Sequence, residues 1–105
     1  QALELSLSAD VVVLASHHWE GDFAESLVSL ESALVATGKP VVVIALGNPD
    51  DLRFFDPPSA YLAIYSFWEA NLQAVSKVLV GQEVPTGKLP VPVGRFPIGS
   101  GMNGF

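Results

Sequence analysis

The stretch KPVVVIALGNPDDL, residues 39–52, decides the fold of this chain. Residues 41–46 within it are apolar at every position and do not alternate with polar residues. A strand of this kind needs cover on both faces, as in a parallel sheet between helices, whereas a hairpin strand would alternate. Gly47, Asn48 and Pro49 then end the strand, because Gly and Asn tolerate left-handed backbone and Pro cannot donate to a sheet. The carboxyl end of this strand is therefore predicted to form a rim where ligands or partner surfaces meet the domain.

The flanking segments predict alternating strands and helices. Residues 10–15, DVVVLA, form a second buried strand, and residues 60–65, AYLAIY, form a third. A helix over 23–37 is predicted by an apolar face at spacings of three and four, formed by Phe23, Leu27, Leu30 and Leu34, and Asp22 with Glu25 forms a capping-box pattern at its start. A later helix, ending at Gly81, is predicted by the same kind of face, formed by Trp68, Leu72, Val75 and Leu79, and Ser66 with Glu69 repeats the capping pattern. This order specifies parallel strands joined by right-handed crossovers. The predicted fold class is α/β, a three-layer α/β/α sandwich with a mainly parallel sheet.

The two ends of the chain are less regular. Residues 2–9 indicate the tail of a helix or a short edge segment. KLPVPV, residues 88–93, carries two prolines two positions apart, so one side of its backbone lacks donors, and we predict that it is the edge strand that closes the sheet. Residues 94–105 predict an extended glycine-rich tail. We interpret residues 1–105 as a single, truncated domain, whose open edge or apolar face favours self-association.

Composition excludes several classes of function. Half of the 105 residues are apolar, which is enough for one core. The formal charge of -6, from 11 acidic and 5 basic residues, repels nucleic acids and anionic membranes. Without cysteine there is no disulfide or thiolate metal site, and we predict no cofactor. No signal or membrane anchor is visible, so the sequence indicates a soluble protein and leaves the compartment, cytoplasmic or exported, open.

Three stretches in this order resemble the C-terminal α/β sandwich domain of family 3 glycoside hydrolases: residues 39–52, AYLAIYS at 60–66, and VGQEVPTGKLPVPV at 80–93. The GNPDDL turn, PTGKLPV and GSGM are most similar to the two-domain β-N-acetylglucosaminidase (β-hexosaminidase) branch. The resemblance implies a larger catalytic (β/α) barrel in the same protein, on which this domain packs. It also implies a sheet with more strands than are predicted here.

The same resemblance bears on catalysis. Glycoside hydrolysis with retention needs a nucleophile and an acid/base about 5 Å apart. In the family the nucleophilic Asp lies on the barrel, and in the N-acetylglucosaminidase branch so does a His and Asp pair within a KH-P-G-D motif, which this sequence lacks. The resemblance therefore implies no catalytic residue here and no activity of this chain alone. Carbohydrate would be bound only as the substrate of the parent enzyme.

Two alternatives stay open. In the β-glucosidase branches this domain donates a Glu from the loop after the strand that corresponds to residues 10–15, and Glu20 lies in that loop. Glu20 is therefore an alternative general acid/base that reaches a barrel active site, although a solvated loop carboxylate is the commoner situation. The second alternative is a free-standing ligand-binding α/β module.

Polar residues after the predicted strands are further candidates. Three are candidate substrate contacts at the rim: His18, Trp19 and Asn48. We predict no metal site from the His and acidic residues of 17–22, since adjacent histidines point in different directions and no i, i+4 spacing supports them. Asp50 and Asp51 are expected to cap the turn that follows Pro49 rather than to act as an acid pair.

Aromatic rings are a last candidate for the site, because their faces can stack on sugar rings. Four of them lie near predicted strand ends: Trp19, Phe54, Phe55 and Trp68. Burial in the core or against the barrel is the commoner situation for such rings. A serine hydrolase is not predicted, since the chain has no GxSxG turn.

Overall fold

The computed structural model describes residues 2–17 and 25–101 of the chain. The helices and strands within these residues are α1 (Ala2–Leu7), β1 (Val12–Ser16), α2 (Glu25–Ala36), β2 (Val41–Ala45), β3 (Ala60–Ala63) and α3 (Glu69–Leu79). A 3-10 helix, Pro49–Phe54, connects β2 to β3. The predicted α/β class is confirmed, and the segment before the first strand is helical.

The sheet is parallel and has β2 in its centre, in the order β1-β2-β3. Val12 of β1 pairs with Val41, and Val43 pairs with Tyr61 of β3. Both faces of β2 are covered, since Val41 and Val43 on one face and Ile44 on the other are all buried. This explains why the strand has no polar alternation.

The core lies between α2 and one face of the sheet. Its buried members are Leu34, Val41, Val43 and Phe55. Leu27 and Leu30 of α2 pack against this cluster, which confirms the apolar face predicted for that helix. The first residue of the predicted face, Phe23, lies outside the described residues, as does Asp22 of the capping pattern.

Helix α3 differs from its prediction. Among the residues predicted to form its buried face, Val75 is buried, whereas Trp68, Leu72 and Leu79 are exposed. The predicted capping box with Ser66 as the cap is wrong, because Trp68 is the N-cap residue and no side chain caps it. Spacing predicts which residues share a helix face, but it does not predict what covers that face.

The predicted Pro-containing edge strand over residues 88–93 is wrong. Within the described residues this segment pairs through one antiparallel bridge, Val93 to Phe96, and not with the sheet. Its other backbone bonds run to the residues that follow, with Leu89 donating to Ser100 at 2.9 Å. Two prolines remove the donors that a sheet position needs, and Gly94, with φ of 52°, reverses the chain. The described part of the tail, residues 94–101, therefore folds back on the preceding segment.

Helix α2 carries a buried carboxyl group. Glu31 is fully buried, and its Oε2 accepts a hydrogen bond from the backbone N–H of Asp56 at 2.9 Å. Its Oε1 is buried without a hydrogen-bond partner among the described residues. Burial raises the pKa of Glu31 above the ordinary 4.5, the Asp56 amide lowers it in part, and the negative charge of Asp56 adds to the rise.

Glu31→Gln should gain stability over the unchanged chain as the pH rises. Below pH 4.5, Glu31 is protonated in both the folded and the unfolded chain, so the variant and the unchanged chain differ little in stability. Above that pH the unfolded chain loses the proton first, because the folded pKa is higher, and the stability of the unchanged chain falls as the pH rises through the folded pKa. The variant lacks this loss. Urea unfolding between about pH 4 and about pH 8 measures the difference.

The matched control for this experiment is Glu83→Gln. Glu83 is exposed and lies 3.4 Å from Lys77 Nζ, so its replacement should change stability little at any pH. A difference between Glu31→Gln and the unchanged chain that stays constant with pH, or shrinks as the pH rises, would contradict the assignment of a desolvated carboxyl group.

Candidate functional site

The candidate site is the rim formed by the carboxyl ends of the three strands. Because the strands are parallel, the ends of β1, β2 and β3 lie at one edge of the sheet. Three segments leave the sheet there: the one that begins at Ser16, the one that leads through Asn48 into the 3-10 helix, and residues 64–68. The residues that approach a ligand or partner at this edge come from these segments.

Asp51 connects two of these segments below the surface. The hydroxyl of Ser16, at the end of β1, donates to Asp51 Oδ2 at 3.0 Å, and both side chains are fully buried. The turn is capped by Asn48, whose Oδ1 accepts from the backbone N–H of Asp50 at 2.9 Å. Asp50 forms an ion pair of 3.0 Å with Arg53. The expectation that both aspartates cap this turn is therefore wrong: Asn48 caps it, and Asp51 joins it to β1.

Tyr61 fixes the same turn from the side of β3. Its hydroxyl donates to the carbonyl oxygen of Pro49 at 2.9 Å. Burial raises the pKa of Tyr61, and the negative charge of Asp51 raises it further, so the phenol stays protonated and remains a donor. The start of the 3-10 helix is thus held by both neighbouring strands.

The segment that leaves β3 has a constrained backbone. Tyr65 has φ of 64°, the one non-glycine residue in the left-handed region within the described chain. Asn71 Nδ2 donates to the carbonyl of Ile64 at 2.9 Å, and the Ser66 hydroxyl donates to Asn71 Oδ1 at 3.3 Å. The backbone N–H of Trp68 donates to Ser66 Oγ at 3.1 Å. These bonds fix the loop against the first turns of α3.

This loop exposes two adjacent rings, Phe67 and Trp68, which we call the rim aromatic pair. Trp68 is 74% exposed and Phe67 57% exposed. Their planes are 12° apart and their centroids 6.4 Å apart. The ring of His17, just after β1, meets Phe67 edge to face at 5.2 Å. Sequence reasoning included Trp68 but missed Phe67, although its position directly after a strand end was visible.

The other sequence candidates have different positions. Phe55 belongs to the core, and the guanidinium of Arg53 lies 4.8 Å from the ring centroid of Phe54. Asn48 is exposed at the rim, where its side chain caps the turn. The remaining candidates lie outside the described residues: His18, Trp19 and Glu20.

The described part of the rim has a buried carboxylate beneath its surface. Asp51 is buried below it, so its carboxylate cannot touch a ligand at the surface. Over residues 2–17 and 25–101, no group of three or more His and acidic side chains is placed to hold a metal ion. In the same part of the chain, no helix has the length and apolar character needed to cross a bilayer.

Together the parallel sheet, its helices and its rim define an α/β domain that presents a surface at the carboxyl ends of its strands. The family is shown by residues 1–96, which match the model of the glycosyl hydrolase family 3 C-terminal domain. The chain belongs to this family, whose C-terminal domain typically sits with an N-terminal catalytic domain in the same protein. No curated protein and no solved structure matches the chain. The resemblance seen in the sequence is thereby confirmed at the level of the family.

The left-handed backbone conformation of Tyr65 can be tested by substitution. Tyr65→Gly should be more stable than Tyr65→Ala by about 1 kcal/mol, because both remove the ring and glycine alone adopts φ of 64° without a steric cost. Urea unfolding of the two variants measures this difference.

The same pair of substitutions at Gln73 serves as the control. Gln73 lies exposed inside α3, where glycine should be less stable than alanine by about 1 kcal/mol. If the glycine variant is less stable than the alanine variant at position 65, as it should be at position 73, Tyr65 is not held in a left-handed conformation in solution.

Proposed function

We propose that this chain is the non-catalytic C-terminal domain of a β-N-acetylglucosaminidase-like glycoside hydrolase, and that it packs on a catalytic (β/α) barrel of the same protein. The family match over residues 1–96 carries the proposal. The barrel supplies the reactive groups, and the substrate carbohydrate is bound by the parent enzyme.

The described carboxylates near the sheet support a non-catalytic role. Asp51 is buried against Ser16, and Glu31 is buried against the backbone of Asp56. Asp50 is paired with Arg53 on the surface. A glycosidase needs one acid and one base or nucleophile on either side of the scissile bond. The contacts of these three residues instead stabilise the turn and the packing of α2.

The GNPDDL turn supports the choice of branch. Each polar residue in it has a defined structural contact, from the cap at Asn48 to the bond between Asp51 and Ser16. These contacts explain why the turn needs its polar residues. The choice of branch rests on the resemblance of GNPDDL, PTGKLPV and GSGM to the N-acetylglucosaminidase branch.

The outer strand β1 bears on self-association. It lies at one edge of the sheet, and its residue Val13 and the preceding Val11 are exposed. An exposed apolar edge strand favours pairing with another chain. This supports the proposal that the chain, taken alone, self-associates.

The assay that tests the function compares this chain with the intact parent protein. The 105-residue chain should not hydrolyse a chromogenic β-N-acetylglucosaminide, because the nucleophile lies on the barrel. The intact protein should hydrolyse it. Turnover by the chain alone would place the reactive groups here, and an intact protein that acts on β-glucosides but not on N-acetylglucosaminides would overturn the choice of branch.

Glu20→Ala in the intact protein tests whether Glu20 acts as a general acid/base or is only a solvated loop carboxylate. If the domain is non-catalytic, turnover should stay within a few-fold of the unchanged enzyme. Glu83→Ala, which removes an exposed carboxylate elsewhere, is the control. A loss of about a hundredfold or more that azide restores would assign Glu20 as the general acid/base, since azide replaces a missing carboxylate at the reacting centre.

A further inference from the structure

We propose that two copies of this chain pair through the outer edge of β1, with the two β1 strands antiparallel and Val13 at the two-fold axis. The proposal rests on the proposed function, of which self-association of the chain taken alone is a part. It deepens that function by assigning the strand, its direction and its register, which together join the two sheets into one continuous sheet.

The hydrogen bonds between β1 and β2 carry the first step. The amide of Val12 donates to the carbonyl of Pro40 at 2.9 Å, and the carbonyl of Ser16 accepts from the amide of Leu46 at 2.8 Å. In a parallel pair, the N–H and C=O groups of every second residue point to the same neighbouring strand. The even-numbered residues of β1 therefore bond to β2.

The odd-numbered residues leave the other edge of this strand open. The N–H and C=O groups of Val11, Val13 and Ala15 point away from β2. Within residues 2–17 and 25–101, β2 is the one strand that pairs with β1. All three odd-numbered residues are exposed. A strand edge with such donors and acceptors is a template on which another strand can pair.

This edge is complementary to a second copy of itself. When two antiparallel strands meet at Val13, this residue faces its equivalent, and Val11 faces Ala15 of the other copy. Residues that face each other in this way exchange two N–H···O bonds, so all the outward donors and acceptors of the three residues are satisfied. The arrangement has a two-fold axis, which is the commonest symmetry of homo-oligomers.

The sequence of β1 lacks the features that protect edge strands from pairing. Natural edge strands carry charged residues, prolines or bulges. Residues 11–16, VVVLAS, contain no charge and no proline, and β1 pairs with β2 in an unbroken register. Each copy has a formal charge of -6, none of which lies on these residues. Repulsion between the copies is thus of long range, and added salt should strengthen the dimer by screening it.

Apolar side chains lie on both sides of this edge. Helix α1 contacts α2 and runs directly into β1, so it lies on the α2 side of the sheet near the open edge. Its Leu5 and Leu7 are 72% and 63% exposed. On the opposite face of the sheet, Val11 and Val13 are 50% and 51% exposed. A specific interface typically buries about 800 Å² on each partner, and these side chains add apolar area to the paired strands.

The experiment is disulfide trapping, in a chain that has no cysteine of its own. Val13→Cys places a thiol from each copy at the axis, where facing Cα atoms of a hydrogen-bonded antiparallel pair lie about 5.5 Å apart. A disulfide spans this distance. Mild oxidation should therefore give a linked dimer of twice the 11.1 kDa chain mass. The unchanged chain should show the same doubled mass in sedimentation equilibrium.

Val84→Cys is the matched control. Val84 is 54% exposed, as Val13 is to within a few percent, and lies outside the sheet. It should cross-link about tenfold or more slowly than Val13→Cys, because no pairing holds the two thiols together.

Hydrogen exchange of the unchanged chain tests the register. The amides of Val11, Val13 and Ala15 should exchange more slowly as the protein concentration rises, because they donate to the other copy. The Val12 amide donates to Pro40 within the chain and should be protected at every concentration.

Val13→Lys tests the contact without a cross-link. It places like charges opposite each other at the axis, so the mass should return to 11.1 kDa and the concentration dependence of exchange should be lost. Circular dichroism that matches the unchanged chain confirms that the variant is folded.

The outcomes separate the β1 dimer from the proposed function. A chain that keeps a mass of 11.1 kDa at NMR concentrations, or a dimer whose Val13 amide stays unprotected, overturns the dimer. Equal cross-linking rates of Val13→Cys and Val84→Cys also overturn it. If the intact protein cleaves N-acetylglucosaminides while the chain alone is monomeric, the function stands and the dimer fails. If the intact protein does not cleave them while Val13→Cys cross-links as expected, the dimer stands and the proposed branch fails.

Discussion

The burial of β2 on both faces is the constraint on which the rest of this structure depends. A strand with apolar side chains on both faces is stable only where other elements cover both of them. On one face α2 supplies Leu34, which packs with Val41 and Val43. The parallel connection follows, because the chain crosses over the sheet through α2 to begin the next strand on the same side. The rim follows in turn, since parallel strands end together.

The central elements could be predicted from sequence because their signals are local. The apolar run of residues 41–46 and the spacing of Leu27, Leu30 and Leu34 each specify a period that one element satisfies by itself. The prediction for residues 88–93 failed for the opposite reason. Two prolines restrict a segment to an edge, but they do not determine that a sheet accepts it there. In the fold, a glycine reversal after Val93 lets the following residues pair with it instead.

The candidate site was partly predictable. The sequence placed Asn48 and Trp68 near strand ends, and the structure finds both exposed at the rim. It could not show that Asp51 turns inward to meet Ser16, 35 positions away in the chain, since this bond depends on how the crossover lies against β1. Nor could it show that Glu31, in the middle of an amphipathic helix, is buried. A charged residue at a buried position is costly, so it is unexpected until its hydrogen-bond partner is known.

Two buried acidic residues, Asp51 and Glu31, have structural contacts in the described part of the chain. Buried carboxylates such as Asp51 and Glu31 hold neighbouring segments together, and their contacts leave the surface of the rim to other groups. The constrained backbone at Tyr65 precedes two exposed rings, Phe67 and Trp68. Strain of this kind persists only where surrounding bonds over-determine it, as the Asn71 and Ser66 bonds do here. The described part of the rim is therefore held by polar contacts beneath its surface, while Asn48, Phe67 and Trp68 are exposed on its outer side.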